Sequence, residues 1–164
     1  MDNSKTIMKK VLQGDKPSRT PVAILDGYVW MLRRAVLSFS DYFMMPPMGA
    51  AKLLADGYRT LGSDIVQTNA HLIYLVFEEM GGAVKYSAMG EAPEVEKRPL
   101  SAIDEIEKFS ADKVWSKVSQ RPEFRHAMEV TRHMVAAEGQ DKLPIAMSYA
   151  PFSLAGVRLG ARAL

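Results

Sequence analysis

Asp26 and His71 are the side chains best placed to do proton chemistry, because each stands just past a short apolar run in the chain. A carboxylate at such a place can orient a substrate or hold a water, and an imidazole can carry a proton or act as a ligand near neutral pH. Each also has a structural reading: Asp26 can cap the segment that follows it, and a lone histidine is often a hydrogen-bonded framework residue. Tyr28 and Trp30 follow the first run, Asn69 follows the second, and Ser148, Tyr149 and Phe152 follow a third. The aromatic rings could wall a flat ligand while Asn69 and Ser148 donate hydrogen bonds, although aromatics beside strands also serve as core.

Other chemistry-bearing residues point elsewhere. His126 and His133 lie seven apart in the longest helical pattern, hence on one face, with no third ligand nearby, which reads as a solvated face rather than a metal site. Glu78 and Glu79 read as solvent-facing. The chain has no cysteine, so it offers neither disulfides nor thiolate ligands, and no residue is assigned to a metal.

The elements that must position these residues repeat one grammar. The run PVAIL at 21–25 predicts strand one, residues 65–68 of SDIVQTNAH predict strand two, and residues 144–147 of LPIAMSYAPFSLAG predict strand three. In the third unit Pro151 has no N–H to give to a ladder, and Phe152 to Ala155 read as the start of a helix. Between the strands lie helical patterns over 48–61, 73–80, 102–109, 114–118 and 121–138, with a first helix that Asn3 or Ser4 caps and Gly14 ends. Residues 31–42 are amphipathic and ambiguous, a helix or a partly ordered active-site loop, and residues 83–100, with Gly90 near the middle, read as a hairpin or an excursion outside the sheet. Strands separated by helices predict a parallel sheet, whose ligands sit where strands end and helices begin.

Composition bounds the rest. A chain of 164 residues, 48% hydrophobic and 24% charged, has globular values and the size of a single domain, 1–164. Its net charge of +2 is scattered, which leaves no nucleic-acid footprint. No apolar run approaches the roughly 20 residues of a membrane span, and the N-terminus lacks the apolar stretch of a signal peptide, so a cytoplasmic protein is expected. The eleven methionines read as adaptable core filler, or as a pliable wall around a large apolar ligand.

The passages RTPV, GSDIV, FEEMGGAVKY, KRPLSAIDEIEKF and LPIAMSYAPFSLAG together resemble the uroporphyrinogen decarboxylase superfamily, which also contains cobalamin-dependent methyltransferases. The resemblance implies an α/β fold, a TIM (β/α)8-type barrel of which this chain would hold an N-terminal part: about three parallel strands, flanking helices and an excursion between strands two and three. Such a part would leave an open sheet edge, which predicts self-association or a completing chain.

Within that family the decarboxylases place two arginines just after strand one, an aspartate past strand two, and a tyrosine five residues after the aromatic of the third motif. This chain has Asp26 and Trp30, then Asn69 and His71, then Val157. Arg33 and Arg34 could replace the missing pair, out of register. The resemblance therefore implies the methyltransferase branch, in which a corrinoid, which a partner corrinoid protein could carry, moves a methyl group to or from a small molecule. Zinc serves in the thiol-methylating members, but its His-x-Cys and Cys ligands belong to the second half of the family's sequence. The alternatives are uroporphyrinogen decarboxylation and a non-catalytic half-barrel acting through association.

Overall fold

The computed structural model describes residues 2–68, 72–100, 105, 107 and 109–147. Helix α1 (Ser4–Gln13) begins where the Asn3 side chain accepts the Thr6 N–H at 2.9 Å, and it ends at Gly14 in the left-handed region. Two short helices, α2 (Tyr28–Arg34) and α3 (Phe39–Met44), occupy the stretch that the periodicity left ambiguous. Reciprocal bonds between Ser38 and Asp41 form a capping box at the start of α3. Helix α4 (Pro47–Thr60) and helix α7 (Pro122–Glu138) each carry proline in the first turn, where its missing N–H costs nothing.

Strand β1 (Ile65–Gln67) pairs in parallel with β4 (Leu143–Ile145), in the register Ile65 to Leu143, Val66 to Pro144 and Gln67 to Ile145. Parallel neighbours need a long crossover. Here it runs through α5 (Ile73–Glu79), the antiparallel hairpin β2 (Ala83–Lys85) and β3 (Glu94–Lys97), α6 (Ala111–Val118) and α7. The expected excursion is therefore an antiparallel hairpin. Predicted helix 102–109 falls mostly outside the described residues, as does the helix expected from Phe152.

The first predicted strand differs. Residues 21–25 run beside β1, but only one backbone bond joins them, from Asp64 N–H to the Val22 carbonyl at 2.7 Å. Side chains take the other ladder positions: Asp64 accepts the Val22 N–H, Ser63 Oγ the Ile24 N–H and Gln67 Oε1 the Asp26 N–H, at 2.8, 3.3 and 3.0 Å. Polar side chains at the head and end of β1 thus hold an extended segment without making it a strand.

The main core lies between α4 and α7 and under α2. Ala51 and Leu54 of α4, Val130 and Met134 of α7, and Tyr28 and Leu32 of α2 are buried in it. Small residues on α4 let α7 approach closely, as ridge-into-groove packing requires. Two sequence expectations are corrected at its edges. Glu78 and Glu79 do not face solvent: Arg121 donates to both at 3.1 Å and also to Glu123, tying the end of α5 to the start of α7. His126 does not lie on a solvated face. It is 9% exposed, packs edge-on to Tyr42 and Phe43, and donates its Nε2–H to the Met45 carbonyl at 2.9 Å, since a carbonyl can only accept. His133 is exposed.

Helix α2 ends in a Schellman motif, with Leu37 N–H on the Leu32 carbonyl and Val36 N–H on the Arg33 carbonyl. The residue placed in the left-handed region is Val36, at φ 55° and 81% exposed. A β-branched residue there costs about 1–2 kcal/mol, partly offset by the extra freedom glycine would give the unfolded chain. Val36→Gly is therefore expected to stabilise the protein by about 0.5–1 kcal/mol. A urea denaturation midpoint that does not rise would contradict this.

Candidate functional site

Where residues 21–25 end, the chain turns at Asp26 into α2. Asp26 has φ 53°, an uncommon region that aspartate tolerates better than most residues. Gln67, buried at the end of β1, holds it there: its Oε1 accepts the Asp26 N–H at 3.0 Å, and its Nε2 stands 3.4 Å from Asp26 Oδ1. Asp26 is thus set by a fixed backbone into the lining of a groove of about 540 Å³, which it shares with Val29, Trp30, Arg33 and Arg34. Such a volume lies in the usual range of small-molecule sites.

The helical period builds this lining, because Val29 and Arg33, like Trp30 and Arg34, are four apart and share one face of α2. Trp30 is 40% exposed, and the Arg34 guanidinium stacks over its ring at 5.2 Å from the centroid. The pair also borders a second hollow of about 220 Å³ against α4, whose wall includes Asp56, Gly57 and Thr60. Gly57 is where the helices meet: a Cβ there would stand 2.5 Å from Met31 Cγ and Sδ. No salt bridge among the described residues engages Asp26, Arg33 or Arg34. One carboxylate and two guanidiniums therefore face the groove without an ionic partner among those residues.

Of the predicted site residues, the structure brings Asp26 and Trp30 together. Tyr28 is a correction in placement. Its ring is 0% exposed, it packs edge-on to Tyr42, and its hydroxyl donates to the Gln67 carbonyl at 3.2 Å, so it offers a ligand no surface. Burial raises its pKa well above the ordinary tyrosine value. His71, Asn69, Ser148, Tyr149 and Phe152 lie outside the described residues. Gln67 was missed by sequence reasoning, and its signal was a polar amide closing an apolar strand. Arg33 and Arg34 were read as out-of-register substitutes, and the groove includes both.

A sequence model of the family described as uroporphyrinogen decarboxylase matches residues 3–162 of this chain. The chain belongs to the uroporphyrinogen decarboxylase family. Among solved structures it is similar to a methyltransferase from Methanosarcina mazei, with a TM-score of 0.71 and 19% sequence identity over 99% of this chain. The match covers 47% of that protein, so the chain spans about half its length. No curated protein matches. The mixed α/β arrangement, with its parallel pair and many helices, fits part of the family's barrel. Among the described residues no helix is long and apolar enough to cross a membrane. Nor does any group of three His, Asp or Glu side chains among them come close enough to hold a metal ion.

Proposed function

We propose that this chain contributes the end of its extended 21–25 segment to a methyltransferase site, in which a methylated small molecule lies in the groove beside Asp26 and Trp30. The observation that carries this reading is Asp26 itself, an acid held by Gln67 in the lining of the groove, where the resemblance to the family's decarboxylases implies an arginine. A carboxylate there repels a substrate studded with carboxylates and suits a neutral or cationic one. The fold likeness to a methyltransferase agrees with this. A corrinoid, when bound, supplies the metal centre that takes or gives the methyl group. Trp30 and half-buried Val29 are the apolar side chains of the groove that its macrocycle would contact. Asp26 and the arginines orient the small molecule.

One observation favours decarboxylation instead: Arg33 and Arg34 line the same groove with no ion partner among the described residues, and a guanidinium binds carboxylate as a fork. Binding separates the two readings. Methylcobalamin is expected to quench Trp30 fluorescence, with the effect reduced in Trp30→Phe, whereas uroporphyrin, which carries the same eight carboxylates as the decarboxylase substrate, is expected not to bind. Uroporphyrin binding that disappears in the Arg33→Gln, Arg34→Gln double variant would overturn the proposal in favour of the decarboxylase. Binding of neither would leave the chain a non-catalytic partner-dependent half-barrel.

A further inference from the structure

We infer that the groove at the start of α2 accepts a zwitterion, a small molecule with a methylated ammonium at one end and a carboxylate at the other. This names the substrate class of the site and rests on the methyl-transfer reading. The groove carries both signs of charge. Asp26 precedes the first turn of α2, and Arg33 and Arg34 form its last turn.

Neither half-charged ligand matches this arrangement. A simple anion or a polycarboxylate meets two guanidiniums but also the Asp26 carboxylate, and a simple cation meets Asp26 but also both arginines. A zwitterion pairs with both ends. Trp30 lies between them in sequence and lines the same groove, 40% exposed, and an exposed aromatic ring in a groove with a carboxylate is a good receptor for a quaternary ammonium, whose methyl groups prevent hydrogen bonding but leave its charge. Stacking on Trp30 orders Arg34 beside the same ring, so less freedom is lost when its fork meets a carboxylate. Elsewhere in the fold, comparable charges are already matched: Asp64 is paired with Arg19, and Arg121 is held by Glu78, Glu79 and Glu123.

Titration calorimetry with three probes tests this on the chain as it stands. Trimethylglycine carries both charges, 3,3-dimethylbutyrate has the same shape and carboxylate without the positive charge, and choline has the ammonium without the carboxylate. Because the groove is open to water, trimethylglycine is expected to bind in the millimolar range, about fivefold tighter than either half-ligand. Asp26→Asn, which keeps a side chain tolerant of the left-handed backbone, should erase the preference over 3,3-dimethylbutyrate. Arg33→Gln with Arg34→Gln should weaken both carboxylates and leave choline unchanged. Circular dichroism confirms that each variant is folded. Equal binding of 3,3-dimethylbutyrate and trimethylglycine overturns the inference, and so does the absence of trimethylglycine binding. Methylcobalamin quenching is a separate readout: its failure, with the trimethylglycine pattern intact, overturns the methyl-transfer reading and leaves the zwitterion site.

Discussion

Asp64→Asn is expected to lower the stability of the fold by about 3 kcal/mol at neutral pH. Asp64 is 1% exposed at the head of β1 and holds four segments together. Its carboxylate accepts from Ser4 Oγ of α1 at 2.5 Å, from both terminal nitrogens of Arg19, with Nη1 at 2.7 Å, and from the Val22 N–H at 2.8 Å. Its own N–H and carbonyl bind Val22 and Leu143, so the residue joins α1, the 21–25 segment, β1 and β4. Asparagine removes the charge that Arg19 requires and puts an amide NH2, a donor, where a donor already points. The loss falls at the low end for a buried pair because Arg19 is half exposed and can turn to water.

The same residue sets an acid limb. The Arg19 guanidinium, with the Ser4 and Val22 bonds, holds the Asp64 carboxyl well below the usual carboxylate range. A depressed folded-state pKa contributes stability that is complete above the unfolded value, about 4, and is lost as pH falls toward the folded one. The gap between wild type and Asp64→Asn should therefore be constant from pH 7 to about 5 and shrink below about 4. Urea denaturation at several pH values measures it. A gap that stays constant down to pH 2 would show that Asp64 acts through shape rather than charge.

Gly90→Ala is expected to cost about 2–3 kcal/mol. Gly90, in the loop between β2 and β3, has φ 65°, and a Cβ there would stand 2.5 Å from the Leu37 carbonyl oxygen and 2.9 Å from Leu32 Cβ. Both obstacles belong to the C-terminal end of α2 and the turn after it, so relief requires the hairpin loop or the helix end to move. Left-handed backbone strain adds to the clash. Because the Arg33 backbone nitrogen would lie 3.3 Å from the same Cβ, the variant should also weaken carboxylate binding at the groove. A thermal midpoint within experimental error of wild type would show that the loop shifts freely and does not brace α2.

Features that depend on local chemistry were legible in the chain alone. Asn3 and Gly14 bound α1, proline opens α4 and α7, β1 falls within the apolar run at 65–68, and Gly90 marks the hairpin, because caps, fixed φ and side-chain period act within a few residues. The acid and the tryptophan of the groove were legible for the same reason: they follow directly on the first apolar run. Packing between distant segments settled the rest. Asp64 and Gln67 reach back about 40 residues to replace a ladder with side-chain bonds, which is why 21–25 is extended but not a strand. Arg121 draws Glu78 and Glu79 out of solvent, and the α2–α4 contact at Gly57 buries Tyr28 and leaves Trp30 at the surface, two residues further on. A helix pattern gives the spacing of side chains around an axis but not the rotation of that axis against its neighbours, and that rotation chose which aromatic became core and which became wall.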